Sequence, residues 1–411
     1  MNQFTGSDGV VSGASPADRE GAGGLRRPRP VDPVDHLDPA EVLRAARQMR
    51  LPELGETGQR RLAAARVAVV GAGGLGSPVL EYLAGAGIGQ LTVIDPDVVD
   101  VSNLHRQVVH GPADVGRPKV ESAADRVRAI NPATRVRTLQ ATVDVDTALD
   151  LLAGHDVVLD GSDNFPTRYL VSDACEMLDL PLVWGSILGF AGQVSVFHAD
   201  GGRGVTYRDV FPRPPGPGEV PSCAEAGVVP MLCGIIGSTM ALEALKVLTG
   251  IGRPLIGRLA LFDALTMRWQ EVPLARDPQR ASVDQLEDLR LTCGLPGPIP
   301  TGDGEGGEGE VAAEELAELL ASGVRLIDIR EPQELEAGYA AGADRIPSGR
   351  LLADPGAAGA LEGAVLYCAA GSRSESARRA LAERGIAVRS LRGGYAALVA
   401  AGIPIRLPDR E

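Results

Sequence analysis

Residues 66–77 run Arg66-Val67-Ala68-Val69-Val70-Gly71-Ala72-Gly73-Gly74-Leu75-Gly76-Ser77. Val67–Val70 is apolar and rich in β-branched side chains, as a strand buried on both faces requires, and it runs into four glycines before a helical pattern begins. Gly71 permits a tight turn, and the missing Cβ atoms at Gly73 and Gly74 let backbone N–H groups approach a phosphate. Gly76 lets the helix pack close to its strand. The helix end adds unpaired N–H donors and a positive dipole end. Asp95 closes the next apolar run, Leu91–Ile94, about 20 residues after the glycines, where a carboxylate binds ribose hydroxyls. A nucleotide is the expected ligand, and the turn alone fits NAD, FAD and ATP equally.

A chain of 411 residues holds two or three domains and buries a large core. Its 40 Lys+Arg against 54 Asp+Glu, net −14, argue against a nucleic-acid or anionic-membrane binder. The longest apolar stretch, 228–248, carries Glu243 and Lys246 among small residues, so a buried helix is expected there rather than a membrane span. The N-terminus is polar and Gly-rich with no signal-peptide core. Five cysteines at 175, 223, 233, 293 and 368 form no CxxC pair, which fits reduced thiols and a cytoplasmic protein. Cys175 and Cys233 lie inside apolar helical patterns and are expected as small core residues; Cys293 is expected as an inert exposed thiol.

Residues 1–37 have no hydrophobic period and are expected to be disordered, the cluster Arg26, Arg27, Arg29 included. Asp38-Pro39-Ala40-Glu41 supplies an N-cap, a first-turn proline and a capping-box acid for a helix to about Arg50, with Arg44 and Arg47 on one face. Helix to about Gly87, strand Leu91–Asp95, helix Lys119–Ile130, strand near Val136, short helix after Asp146 and strand Val157–Asp160 then alternate. That rhythm predicts an α/β fold with a doubly wound, mainly parallel sheet spanning 38–291. Right-handed crossovers bring Gly71, Asp95 and the Asp160–Asn164 turn to one sheet edge.

Loops after these strands carry Arg106, Lys119 and Asp163, flanked by Asn103, Gln107 and Asn164. Two cations for β- and γ-phosphates and a carboxylate for Mg2+ make a triphosphate kit, which an NAD site does not need.

With these residues in view the chain resembles the E1-like adenylating enzymes, which activate ubiquitin-fold sulfur carriers in molybdopterin and thiamine pathways. The matching words are RAARQ from Arg44, GAGGLGS from Gly71, DPD from Asp95, SNLHRQ from Ser102, GRPK from Gly116, DGSDN from Asp160 and PSCAEAG from Pro221, covering about 41–272. The resemblance implies ATP on Gly71–Gly76 with its ribose on Asp95, polyphosphate held by Arg106 and Lys119, and Mg2+ on Asp163. It also implies a homodimer in which Arg47 reaches the neighbouring site. The carrier's Gly-Gly carboxylate attacks the α-phosphate, so the protein positions and neutralises charge without a general base.

The segment from Tyr207, YRDVFPRPPGPGEVPSC, is proline-crowded and expected to be an extended, mobile crossover loop without regular structure. In the family a cysteine at the place of Cys223 is assigned as a thioester or disulfide acceptor; a spare thiol is the plainer alternative. The chain departs from relatives that carry two CxxC pairs: the first place has Gly204-Val205-Thr206-Tyr207 and no pair follows Val272, so no zinc site is expected.

Residues 292–310 are a Pro/Gly/Glu linker. Beyond it, 311–411 pattern as a small α/β domain: helix Val311–Ser322, strand Val324–Ile329, strand Ala364–Tyr367, a helix from about Arg373, and strand Val388–Leu391. Cys368 ends an apolar strand and precedes Ala369-Ala370-Gly371-Ser372-Arg373, so backbone N–H groups, a helix dipole and an arginine converge on its sulfur. With LIDIRE, GYAAGA, VLYCAAGSRS and LRGGY, the segment resembles a rhodanese domain. Its Cys-to-Arg loop is one residue shorter than the comparable phosphatase loop, favouring sulfur over phosphate. Ala369 and Ala370 stand where many rhodaneses place Arg and Ser, which leaves the donor open between thiosulfate and a cysteine desulfurase.

The joined expectation is an enzyme that adenylates a ubiquitin-fold sulfur carrier protein and passes it persulfide sulfur from Cys368, giving a thiocarboxylate. Alternatives are an adenylating enzyme or carrier-binding scaffold whose rhodanese domain serves a separate relay, and an NAD-dependent oxidoreductase. A tRNA-dehydrating cousin is disfavoured by the acidic chain. Molybdenum cofactor, thiamine, cysteine, tRNA thiolation and secondary metabolism are all open as pathways.

Overall fold

A computed structural model describes residues 25–215, 227–289, 309–330, 334–335, 338–358, 361–368 and 371–407. Cys223, Cys293, Ala369 and Ala370 lie outside them. The chain divides into two compact units, whose described parts are 25–289 and 309–407.

In the first unit eight strands form one sheet: β1 Arg66–Val70, β2 Gln90–Ile94, β3 Arg135–Leu139, β4 Val157–Asp160, β5 Leu182–Leu188, β6 Ala191–Phe197, β7 Arg258–Asp263 and β8 Arg268–Pro273. Their order is β3-β2-β1-β4-β5-β6-β7-β8, parallel as far as β5 and antiparallel beyond it. The order reverses beside β1, whose Val67 pairs with Leu91 on one side and Val157 on the other. Alternation along β1 sends Val67 and Val69 into one hydrophobic layer and Ala68 and Val70 into the other. Burying each such valine contributes about 1.5 kcal/mol.

The helix Gly76–Ala86 and the long helix Pro230–Thr249 cover the first face, and the helix Phe165–Met177 covers the second. Pro230–Thr249 is long and apolar enough to cross a membrane by length and composition, yet Leu232, Ile236, Met240 and Ala244 lie in the core. Gly237 lets it approach the Gly76–Ala86 helix: a Cβ there would sit 2.6 Å from the Leu75 carbonyl oxygen. Cys175 and Cys233 are buried, as expected for core residues.

Three expectations for the first unit need correction. Residues 25–37 are ordered against the body: Leu25 packs on both layers, Arg27 donates to the Gly252 carbonyl at 2.6 Å, and Val31 N–H donates to Leu248 at 2.9 Å. These contacts serve carbonyls at and just beyond the C-terminus of the long helix, a need that composition does not reveal. Next, the helix at Pro39 stops at Ala45, and Gln48–Arg50 is a separate 3-10 turn; Leu51 is held extended before Pro52. Glu41 makes no capping box; it accepts from Arg44 and Asn131. Finally, Tyr207–Val210 is a helical turn, because the Asp209 carboxylate accepts from Thr206 N–H at 2.7 Å and the prolines begin only at 212.

In the second unit β9 Glu310–Val311, β10 Leu326–Asp328, β12 Asp344–Arg345, β13 Val365–Tyr367 and β14 Arg389–Leu391 form a parallel sheet ordered β12-β10-β13-β14-β9. β11 Tyr339–Ala340 and β15 Ile405–Arg406 pair antiparallel beside it. Helices Ala313–Ala321, Ser348–Ala353, Ser372–Ala382 and Gly394–Ala400 complete the unit; Glu310 and Val311, expected in the linker and the first helix, instead pair as β9 with Ser390 and Leu391.

Candidate functional site

At the carboxyl end of β1 the chain turns through Gly71, whose φ of +90° favours glycine, and a Cβ there would meet the Gly161 carbonyl oxygen at 3.2 Å. Gly76 is tighter still, since its Cβ would lie 1.9 Å from the Gly71 carbonyl oxygen. At Gly74 an added Cβ would meet the Cys233 sulfur at 2.9 Å, and at Gly73 the Gln107 amide at 3.5 Å. The Asp160–Asn164 turn therefore meets the glycine turn, as the topology predicts.

Asp95 is buried at the end of β2, where one carboxylate oxygen accepts from Ala72 N–H at 2.8 Å and the other from Asp97 N–H at 2.9 Å. Burial raises its carboxyl above the ordinary range, against the pull of Lys119. Lys119 opens the helix Lys119–Ile130, is 7 % exposed, and donates to Asp97 at 2.8 Å. Arg106 is half-buried and donates to the Ser102 carbonyl at 3.0 Å. Gln107 is 4 % exposed, and its side-chain oxygen has no partner among the described residues, so it is free to accept from a donor on a ligand, such as a base or a ribose hydroxyl, and not from a phosphate oxygen.

Asn103 and Asn164 put their side-chain oxygens to local backbone use: Asn103 accepts from Asp100 N–H, and Asn164 caps the Phe165–Met177 helix through Thr167 N–H at 3.0 Å. Asp163 is exposed beside it. Among the described residues no group of three or more His, Cys, Asp or Glu side chains could hold a metal ion. One free carboxylate nevertheless suits Mg2+, which is bound through one or two carboxylates plus substrate phosphates. Arg47 is exposed, whereas Arg44 is tied to Glu41 and the Ile130 carbonyl.

Two residues here escape motif reading. Asp97 holds Lys119, and His110, buried behind the turn, contacts the Ala72 carbonyl at 3.0 Å and the Ser122 hydroxyl at 2.9 Å. Asp97 sits inside the DPD word, and His110 follows Gln107 by one helical turn's spacing; nothing in their residue types marks either as part of the site.

In the second unit Cys368 follows β13 and is 1 % exposed. Its sulfur accepts from Gly371 N–H at 3.1 Å, with the Ser374 hydroxyl at 3.8 Å; Ser390 donates to Ser374 at 2.9 Å. Gly371, at φ +97°, precedes the helix Ser372–Ala382. One backbone donor to the sulfur is thus in place among the described residues, while the Arg373 guanidinium is engaged by the Glu334 carboxylate, one contact being 2.8 Å. Arg330, 3 % exposed, is paired with Asp328 and lies 4.0 Å over the Tyr395 ring.

The geometry agrees with what the chain is similar to. The ThiF family model matches residues 45–283, and a rhodanese-like domain model matches residues 312–401. A probable adenylyltransferase/sulfurtransferase MoeZ of Mycobacterium tuberculosis is 45 % identical over 351 residues, 84 % of this chain and 89 % of that protein. A sulfur carrier protein adenylyltransferase of Thermus thermophilus is 50 % identical over 250 residues, 59 % of this chain and 92 % of the relative. A crystal structure of E. coli MccB with MccA-N7isoASN shares the fold with a TM-score of 0.52 at 19 % identity, over 58 % of this chain and 74 % of MccB.

Proposed function

The chain belongs to the ThiF family and joins to it a rhodanese-like domain, and from that premise we propose that it adenylates the C-terminal carboxylate of a ubiquitin-fold sulfur carrier protein and converts it to a thiocarboxylate. The observation that carries the first step is the buried Lys119, held by Asp97 beside the glycine turn. A triphosphate needs such a cation and a dinucleotide does not.

A carboxylate oxygen of the carrier attacks the α-phosphorus of ATP, and the α–β phosphoanhydride breaks to release pyrophosphate. Backbone N–H groups of the Gly71–Gly76 turn hold the phosphates, Asp95 takes the ribose, and Lys119 and Arg106 neutralise the departing charge. Asp163 would hold Mg2+, which shields the phosphate charge when bound. The terminal sulfur of a Cys368 persulfide then attacks the acyl carbon and expels AMP, leaving an acyl disulfide. A thiolate, for which Cys223 is our choice, attacks the Cys368 sulfur, releases the thiocarboxylate and leaves a disulfide that a cellular thiol reduces. Cyanide-labile sulfur on Cys368 can come from thiosulfate or from a cysteine desulfurase.

Partners follow from surfaces. Phe190 and the pair Leu265 and Met267 are exposed on the β5–β6 and β7–β8 turns, at the same sheet edge as the glycine turn; Ala264 N–H bonds the Phe190 carbonyl at 2.9 Å. This apolar group supports a protein whose tail reaches the nucleotide. Met231 and Leu242 expose an apolar face of the long helix, and Arg47 is exposed; both support a homodimer completed by Arg47. Molybdenum cofactor biosynthesis and a cytoplasmic setting fit the carrier chemistry and the absence of CxxC pairs.

The test is the intact mass of Gly-Gly-ended carriers after incubation with the protein, Mg-ATP and a sulfur donor. An oxygen-to-sulfur mass gain that disappears in Cys368→Ala supports the full sequence. Pyrophosphate release without mass gain leaves adenylation alone, and no release removes the proposal.

A further inference from the structure

The nucleotide turn is a backbone device, so its aim depends on what fixes its peptide planes. Two side chains from other elements grip Ala72, between Gly71 and Gly73. Asp95 accepts from Ala72 N–H at 2.8 Å, which fixes the peptide unit shared with Gly71. His110 contacts the Ala72 carbonyl at 3.0 Å, which fixes the unit shared with Gly73. A carbonyl only accepts, so His110 Nε2 carries the hydrogen and Nδ1 is left to accept from the Ser122 hydroxyl at 2.9 Å, in competition with the Asp114 carboxylate that the same hydroxyl serves. Ser122 stands on the helix Lys119–Ile130 that also carries Lys119, so the imidazole ties the phosphate cradle to the element bearing the phosphate lysine. All of these groups are buried, Ala72 at 0 %, Ser122 at 2 % and His110 at 5 % exposure.

We infer that neutral His110 is a positioning residue for adenylation: through the Ala72 carbonyl it holds the Ala72–Gly73 peptide so that the N–H groups of the turn face the nucleotide phosphates. This rests on the reading that the turn binds ATP. Burial keeps the imidazole below its ordinary value; Lys119 works in the same direction, and the Ala72 bond and Asp114 oppose. A second proton on Nδ1 would face a hydroxyl that must reverse and a lysine that repels it. Acidification therefore loosens the turn.

The test uses the full-length protein and Mg-ATP titrated by calorimetry, with KM for ATP and for the carrier measured separately. His110→Ala is expected to weaken ATP binding about tenfold, to raise KM for ATP but not for the carrier, and to leave Cys368 persulfide formation unchanged. His110→Gln, whose amide N–H can still reach the Ala72 carbonyl, is expected to recover most of the affinity. It should also lose the extra fall in ATP affinity that the parent shows on acidification below the ordinary histidine range. ATP affinity in His110→Ala equal to that of the parent, or parallel pH profiles for the parent and His110→Gln, overturns the role of His110. Should His110→Ala fail to fold, the pH comparison decides alone. Absence of ATP binding by the parent sinks the nucleotide reading instead.

Discussion

Both units solve one problem, holding an anion at the carboxyl end of a parallel strand, and they solve it with the same strand, turn and helix. After β1 the turn Gly71–Gly76 leads into the helix Gly76–Ala86; after β13 Cys368 and Gly371 lead into the helix Ser372–Ala382. The first turn carries no nucleophile. It is fixed from outside by Asp95 and His110, and under the proposed function its cations come from Arg106 on a later loop and Lys119 at the start of the helix Lys119–Ile130. The second carries its own sulfur and supplies the nearest donors from within, Gly371 N–H and Ser374. A turn that binds a substrate's anion needs groups gathered from distant sequence, whereas a turn that presents its own anion can be nearly self-contained.

That contrast breaks most sharply at the nucleophile. Cys368→Ala is expected to abolish carrier thiocarboxylate while ATP-dependent pyrophosphate release continues at the parent rate, measured on the same sample. Loss of both activities would mean that the two turns do not act separately. The converse is Gly76→Ala, whose methyl group would press on the Gly71 carbonyl oxygen at 1.9 Å. Overpacking of this kind costs about 3 kcal/mol, so ATP binding should vanish and the first unit's thermal transition should fall, while persulfide forms on Cys368 as before. An unshifted transition would show that the turn can relax around the methyl group.

Lys119→Ala sharpens the comparison at lower amplitude. Removing one charge that stabilises a departing pyrophosphate costs about 10²–10³ in adenylation rate, and Asp97, 63 % exposed at its side chain, loses only an ion partner. Asp97→Asn should cost less, a few-fold, because the lysine remains and only its resting tether goes. Equal losses in the two variants would make the ion pair, and not the free lysine, the working unit.

The sequence carried the parts whose physics is local. Val67–Val70, the glycines and Asp95 are fixed by strand packing and close backbone approach, and they stand where their spacing put them. What stayed hidden depends on contacts distant in sequence. His110 meets the Ala72 carbonyl across 38 positions, and Arg373 meets Glu334 across 39, so the arginine expected at the sulfur faces a carboxylate as well. Residues 25–37 have a disordered composition and are ordered by carbonyls around the end of the long helix, Arg27 meeting Gly252 across 225 positions, and by Arg60, which meets Val34 across 26. Asn164, read as a nucleotide-site residue, caps the Phe165–Met177 helix, a role available from its position before Phe165-Pro166 and one that follows ordinary capping chemistry.

The smallest expected effect separates the units by titration. All five histidines of the chain lie at or before position 198, so the second unit contains none. His155 is buried between Thr92 of β2 and the end of the helix Ala148–Leu152: its Nδ1–H donates to the Leu152 carbonyl at 2.9 Å, and Nε2 accepts from the Thr92 hydroxyl at 2.8 Å. Burial depresses its imidazole below the ordinary value, more than the Leu152 bond raises it. The unfolded chain therefore takes up a proton near pH 6.5 while the folded chain resists until lower pH. Stability from this site is complete above pH 6.5 and is lost as pH falls from there toward the folded value. Raised carboxyls at Asp95, Asp160 and Glu243 act in the opposite sense, so the informative quantity is the difference between the parent and His155→Asn, whose amide keeps the Leu152 bond without titrating. Between pH 7 and 5.5 the parent's first-unit transition should fall by about 2 °C more than the variant's. The second unit's transition should be the same in both proteins. An identical pH response of the first unit in parent and variant would mean that His155 takes up its proton in the fold over the same range as in the unfolded chain, and a smaller fall in the parent than in the variant would mean that it is already protonated in the fold, with the Thr92 hydroxyl accepting from it.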